Sequence, residues 1–320
     1  MTRLNLEENL RVLVAHAWDQ EVKWSHIEAW IENFKGEVLS AQEEQLYALV
    51  TLSRFMYFGK RLVREMLKSL YRDHFRSVVM QRIRRNYNGT KDLALLQAAY
   101  EQELNSTRFL GVGNPSESGA HLLYYFRQVN YLKKDLFVDV SAAFYPQINR
   151  DPISPGFSYV PREAGVNRYI FFDDMVGSGD QACKYLSPYL RDLRRANRNI
   201  DLRYLCLFST TEGLNRLNHP SLFDGGAVCL FELDGSYKCL QNDARYFLGA
   251  PSWFDTADLE KLVLNYASKV HPYNPRGYKN GELMLGFSHN TPDNTLPMFW
   301  CGTNGSGWNP VFLRYDKKYS

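Results

Sequence analysis

At 320 residues the chain admits two domains, or one α/β domain with a helical appendage. Its 45% hydrophobic and 14% aromatic content is ample for a core and argues against disorder, while a net charge of only +3 gives no general case for nucleic-acid binding. No apolar run approaches the ~20 residues that span a bilayer and the N-terminus carries no signal-peptide core, so a soluble, cytoplasmic protein without membrane partners is expected.

Apolar residues recur at helical intervals over Leu6 to Trp18, Ile27 to Phe34, Glu43 to Phe58, Arg61 to Arg85 and Lys91 to Leu104, which predicts a helical region over 1–104. Asn86-Tyr-Asn-Gly89 supplies a turn between the last two helices. Lys68, Tyr71, Arg72, Arg76, Arg82, Arg84 and Arg85 crowd one helical segment. The run reads as a phosphate-contacting face for DNA or RNA, or as a solvated face paired with acids such as Glu65 and Asp73.

Residues 105–320 change character. Strands are predicted at Leu136 to Val140, Arg168 to Phe172, Leu202 to Phe208, Gly226 to Phe231 and Glu282 to Phe287. Helices are predicted from about Gly179 to Ala196 and over Thr256 to Lys269, with Thr256 as N-cap. Short apolar strands alternating with helices predict an α/β domain with a mostly parallel sheet. The Pro- and Gly-rich stretch Tyr145 to Gly165 reads as a long loop, placed to act as a lid. Five cysteines (Cys183, Cys206, Cys229, Cys239, Cys301) lack paired spacing and are expected as free thiols rather than disulfides or metal ligands.

The most informative stretch is Arg168-Tyr-Ile-Phe-Phe-Asp-Asp-Met-Val-Gly-Ser-Gly-Asp-Gln-Ala182. A buried strand runs into Asp173 and Asp174, and a small-residue turn then opens a helix. Carboxylates at a strand's carboxyl end accept hydrogen bonds from ribose hydroxyls. A glycine-rich turn at a helix N-terminus offers N–H groups and the helix dipole to a phosphate, which makes Gly177, Ser178, Gly179, Asp180 and Gln181 the candidate phosphate loop. The same residues also fit an ordinary strand-to-turn connection, with Asp174 capping and the glycines supplying positive φ.

Two further stretches carry candidates. Gly111, Gly113, Ser116, Ser118 and Gly119 form a candidate second anion loop, or else a well-capped helix start after an interdomain link; Glu117 would repel an anion there. His289 and Asn290 lie where a predicted strand ends, as contacts for a base or leaving group or as parts of a structural Asx/Pro turn. No metal-ligating set is assigned.

The run from Arg168 to Ala182 resembles the signature of the type I phosphoribosyltransferases: an apolar strand, two acids, three loose positions, then Thr-Gly-x-Thr. Asp173 and Asp174 match the acids, Ser178 stands for the first threonine and Gly179 matches the glycine. Asp180 and Gln181 depart, one bringing a negative charge to the phosphate position and the other replacing a hydroxyl. With Phe109-Leu-Gly-Val-Gly-Asn-Pro-Ser-Glu-Ser-Gly119 and His289-Asn-Thr-Pro-Asp-Asn-Thr-Leu-Pro-Met-Phe-Trp300, the chain is similar to a phosphoribosyltransferase-like family of bacterial anti-phage and conflict loci, some of them retron-associated.

That resemblance implies a phosphoribosyltransferase-like parallel sheet flanked by helices. It further implies that Asp173 and Asp174 meet the ribose hydroxyls of phosphoribosyl pyrophosphate (PRPP), that the loop holds its 5′-phosphate, and that Mg2+ accompanies the diphosphate. The role implied is a defence effector in glycosyl transfer or glycosidic cleavage. The alternative is a non-catalytic nucleotide sensor or accessory module that binds a partner protein or nucleic acid in a retron-like complex.

Overall fold

The computed structural model describes residues 2–113, 118–149, 156–197, 199–302, 307–312 and 314. The chain opens with helices α1 (Arg3–Val12), α2 (Trp24–Ile31) and α3 (Ala41–Ser53), a short strand β1 (Met56–Phe58), and helices α4 (Lys60–Tyr71), α5 (Ser77–Asn86) and α6 (Leu93–Asn105). Strand β2 (Thr107–Gly111), helices α7 (Ser118–Val129) and α8 (Val140–Ala143), and strands β3 (Phe144–Asn149) and β4 (Gly156–Pro161) follow. Then come β5 (Arg168–Val176), α9 (Asp180–Ala196), β6 (Asp201–Thr210), α10 (Thr211–Leu217), β7 (Ala227–Leu233), α11 (Thr256–Val270) and β8 (Leu285–Phe287). Among the described residues no helix is long and apolar enough to cross a membrane.

By compactness the chain divides into two units, Met1–Val63 with Asp234–Ser320, and Arg64–Leu233. The helices predicted as one N-terminal region are thus shared between them. Side chains of α2 and of the segment just after α3 pack with the C-terminal segment: Trp30 stacks on Phe299 at 5.3 Å between ring centroids, and Phe55 on Phe312 at 4.1 Å. The indoles of Trp30 and Trp308 both donate to the Met298 carbonyl, at 2.7 and 3.0 Å. Glu44 is fully buried in this unit. Burial alone would raise its pKa, but donors from the Tyr266 hydroxyl and the N–H groups of Val38, Gly36 and Leu39 win and hold the carboxyl below its usual range.

The second unit is built on a four-stranded parallel sheet in the order β2-β5-β6-β7. Its two faces are covered differently. Tyr169, Phe171 and Tyr204 share a buried cluster with Leu186 and Leu190 of α9. On the other face Phe109, Phe126 and Phe75 interlock, with Phe75 at 5.3 Å from Phe109 and Phe126 at 5.4 Å. Helices on both faces of a parallel sheet make this an α/β fold.

At the start of β5 a buried guanidinium organises the carboxylates. Arg168, with a side chain only 3% exposed, pairs with Glu103 and with Asp201, both at 2.7 Å. Arg82 also pairs with Glu103 at 2.7 Å, and Arg203 with Asp201 at 2.9 Å. Burial would raise the pKa of Asp201, but the hydrogen bond from Arg168 and the charges of Arg203 and Arg168 take it below the usual range. Arg82 of the basic run is therefore engaged within the fold, and Arg72 pairs with Asp73 at 2.7 Å.

Five expectations need correction. The helix predicted to Phe58 ends at Ser53, because Met56 to Phe58 pair in parallel with Leu285 to Phe287. The strand predicted at Leu136 to Val140 reduces to one bridge, Phe137 to Phe109; the Asp139 carboxylate then caps α8 by accepting from the Ala142 N–H at 2.9 Å. The sheet's edge strand is instead Thr107–Gly111. Only the end of the Glu282 to Phe287 run is extended, and it pairs outside the main sheet. The long loop contains an antiparallel ribbon of β3 and β4 that pairs Phe144 with Pro161 through Asn149 with Gly156. The ribbon is tied down because the Tyr159 ring packs, tilted, 4.2 Å from that of Tyr189 and its N–H donates to the buried Asp192 at 3.0 Å. A smaller revision concerns α11, whose cap is Asp255, accepting from the Ala257 N–H at 2.7 Å.

Candidate functional site

Strand β5 carries its chemistry by alternation. Phe171 faces α9, whereas Phe172 faces the other way, 5.2 Å from the Phe126 ring. Alternation places Asp173 on the α9 side with Phe171, where Tyr204 also lies, but it does not hold to the end of the strand: Val176 joins the same α9-side cluster, and the Asp174 carboxylate interacts with that of Asp173. The strand continues to Val176, beyond the predicted end at Phe172, because β6 extends the ladder through Met175 with Phe208 and Val176 with Ser209.

The two acids are wired to each other and to the backbone. The Asp174 N–H donates to Asp173 Oδ1 at 2.9 Å, and the Met175 N–H to Asp174 Oδ1 at 2.8 Å. The buried Tyr204 hydroxyl donates to Asp173 Oδ2 at 3.1 Å. Burial, followed by the charge of Asp174, pushes the Asp173 carboxyl well above the usual carboxylate range. Burial and the neighbouring Asp173 likewise push the Tyr204 hydroxyl up. Such a pair resists carrying two full negative charges, and it gains when a hydroxyl donor or a positive charge arrives.

The loop after the strand turns on Gly179, whose φ of +74° lies in the left-handed region. Gly179 is the N-cap of α9 and supplies no side-chain cap. Instead the Ser178 hydroxyl donates to Asp180 Oδ2 at 2.9 Å. Arg216, at the end of α10, pairs with the same carboxylate and donates to the Ser178 carbonyl at 3.4 Å. The negative charge that departs from the phosphate-loop pattern is thus matched by a cation from another element.

The loop is braced from β6 and α10. Thr210 donates its hydroxyl to the Gly177 carbonyl at 2.7 Å and accepts the Gly213 N–H at 3.0 Å. A Cβ on Gly213 would lie 2.1 Å from the Gly177 carbonyl oxygen, so the approach requires glycine.

The second candidate loop comes alongside by register. Gly111 pairs with Phe172, and the Val112 N–H donates to the Phe172 carbonyl at 3.0 Å. Gly119 sits so close that a Cβ would lie 2.9 Å from the Phe172 oxygen. The first turn of α7 therefore abuts the strand immediately before Asp173. Gly111 and Gly113 line a cavity of about 610 Å3. Ser116 and the Ser118 side chain lie outside the described residues.

Asp173, Asp174, the loop from Gly177 to Gln181, and Gly111, Gly113 and Gly119 thus belong to one unit. His289 and Asn290 belong to the other, in a reverse turn closed by the Phe287 N–H on the Asn290 carbonyl at 2.8 Å. The His289 ring stacks on Phe287 at 5.2 Å. Sequence reasoning missed Tyr204, Thr210, Gly213 and Arg216. A partial signal was present in Thr210-Thr-Glu-Gly213, a capping residue and a glycine directly after a buried strand, which repeats the strand–turn–helix grammar of the main motif.

The family model described as PRTase-CE matches residues 27–314. The chain belongs to the PRTase-CE family. In name and in its α/β architecture this is a phosphoribosyltransferase-like family, and its match extends over most of both units. No curated protein sequence matches this PRTase-CE chain. Among solved structures it is similar to the orotate phosphoribosyltransferase of Aeropyrum pernix, with 16% identity over 44% of this chain and 77% of that one, at a TM-score of 0.23. It is also similar to the Helicobacter pylori xanthine-guanine-hypoxanthine phosphoribosyltransferase, with 13% identity over 52% and 94% of the two chains and a TM-score of 0.22. Protein AQ2163 of Aquifex aeolicus shares 15% identity over 65% and 81%, with a TM-score of 0.27. Likeness at this level does not extend to activity.

Proposed function

We propose that this PRTase-CE protein binds PRPP or a related ribose-phosphate nucleotide and acts on its glycosidic carbon, by glycosyl transfer or glycosidic cleavage. The observation that carries the proposal is the hydrogen-bonded acid pair Asp173–Asp174 late in β5, one turn before a helix N-terminus capped by left-handed Gly179. In this reading the carboxylates accept from ribose hydroxyls and steady positive charge developing at the anomeric carbon. The N–H groups of Gly177 to Gln181 and the Ser178 hydroxyl receive the 5′-phosphate, with Arg216 adding charge. A second anionic group would meet the loop that begins at Gly111.

The donor set suits an ion delivered by the ligand. Among the described residues no three His, Cys, Asp or Glu side chains cluster to hold a metal. Mg2+ commonly needs only one or two protein carboxylates beside substrate phosphates, and Asp173 and Asp174 would serve; the ion would neutralise diphosphate charge.

Calorimetry with PRPP and common nucleotides in the presence of Mg2+ tests the proposal. Binding by the wild type that Asp173→Asn/Asp174→Asn loses is the expected result; no binding by the wild type rejects it.

A second reading is favoured by one observation. Ser178 and Arg216 are already engaged with Asp180, which suits a nucleotide sensor whose loop switches partners on binding rather than an enzyme. Binding without turnover of labelled PRPP distinguishes it. On the resemblance of the three sequence segments, the setting proposed for either activity is bacterial anti-phage defence with a partner protein. Phage plating on cells carrying the wild type or the double variant checks that setting.

A further inference from the structure

We propose that the cavity of about 610 Å3 at the β2 edge of the sheet is a second ligand site, for a planar aromatic ring bearing an anionic group. Small-molecule sites typically enclose ~300–1,000 Å3 and combine apolar walls with a few polar groups. Here Leu123, Phe137 and Val138 supply apolar wall, while Tyr124 and Tyr185 supply flat ring surfaces.

Arg127 and Lys134 also line the cavity, and no acidic side chain pairs with either among the described residues. Arg127 instead lies over the Tyr124 ring, 5.8 Å from its centroid. The carboxylate in the lining, Asp139, is occupied by the Ala142 N–H at 2.9 Å and by the Ser141 hydroxyl. Two cations with no acidic partner among the described residues, beside tyrosine faces, suit an anion attached to a ring, which stacks while its charge is paired. A bare diphosphate would leave the apolar walls unused and would surrender its hydration to them at a cost. Asp173 and Asp174 are absent from the lining, whereas Gly111 and Gly113 belong to it, so the cavity adjoins the proposed second-anion loop but does not include the acid pair.

The probe is 8-anilinonaphthalene-1-sulfonate, titrated into the full chain and followed by its fluorescence. Saturable binding is expected, weakened at least tenfold by Arg127→Gln/Lys134→Gln and unchanged by Asp173→Asn/Asp174→Asn. Ser141→Trp, which obstructs the cavity from an exposed position, should weaken it similarly, with thermal melting confirming that each variant is folded. No saturable binding, binding that survives both the charge variant and Ser141→Trp, or loss in the Asp173/Asp174 variant overturns the proposal. So does displacement by inorganic pyrophosphate at concentrations matching those of the probe. PRPP titration reads the other site separately, so either can fail alone.

Discussion

Tyr204 on β6 donates its hydroxyl to Asp173 Oδ2 on β5 across 3.1 Å, and this bond opposes the larger influences of burial and of Asp174 on that carboxyl. Burial and the Asp174 charge raise the pKa of Asp173; the donor from Tyr204 lowers it. Tyr204→Phe is therefore expected to raise the Asp173 pKa further and to weaken ribose-phosphate binding, as read by carboxyl NMR titration and calorimetry.

Asp173 should cost the fold stability at neutral pH. Its folded-state pKa lies above the unfolded value of ~3.9, so the folded chain holds the extra proton between the two and stability falls as pH rises through that window. Asp173→Asn removes the penalty. A Tm on the order of a few °C above wild type is expected at pH 7–8, with the gain vanishing below pH ~4, while ligand binding is lost. Melting curves across pH check both parts.

Asp180 and Arg216 should act oppositely on phosphate. Asp180→Asn removes a repelling charge and is expected to tighten ribose 5-phosphate binding several-fold; Arg216→Gln should weaken it by a similar factor. Their ion pair is partly exposed, with side chains 31% and 42% accessible, so each change should cost under ~1 kcal/mol of stability. Calorimetry and denaturant melts separate the two effects.

Arg168→Met should be among the most damaging changes away from the site. It takes the buried partner from Glu103 and Asp201, which keep only Arg82 and Arg203, so the loss in urea unfolding should approach but not reach the ~3–5 kcal/mol of an uncompensated buried charge. Because Asp201 has a depressed folded-state pKa, the stability it contributes is present above its unfolded value and lost as pH falls through the folded one. The wild type should therefore weaken below pH ~4, and the variant should show less of that dependence.

Gly213→Ala tests the brace under the phosphate loop. With the Gly177 oxygen 2.1 Å from the added Cβ, loop or helix must move, at about 1–3 kcal/mol. Weaker phosphate binding at unchanged Arg216 and Asp180 would show that the brace positions the loop.

Chain order and residue chemistry were enough to read the strand from Arg168, the acids at Asp173 and Asp174 and the helix after Gly179, because these depend on contiguous period and turn rules. The same local rules ran the third helix on through Met56 to Phe58, whose extended state depends on Leu285 to Phe287 far along the chain. They also read Leu136 to Val140 as strand, because a bare apolar run does not show that Asp139 will turn and cap a helix. Thr107 to Gly111 is extended for the converse reason: pairing with β5 decides it.

The acids and their loop were thus written in sequence, while their environment was not. Tyr204, Thr210, Gly213 and Arg216 reach the loop from β6 and α10 only once the parallel sheet aligns those elements. Whether Asp180 stands as a bare charge or as half of an ion pair, and how far the Asp173 proton is held, depend on distances and desolvation between residues remote in the chain. A linear pattern names the groups; the fold sets their charge.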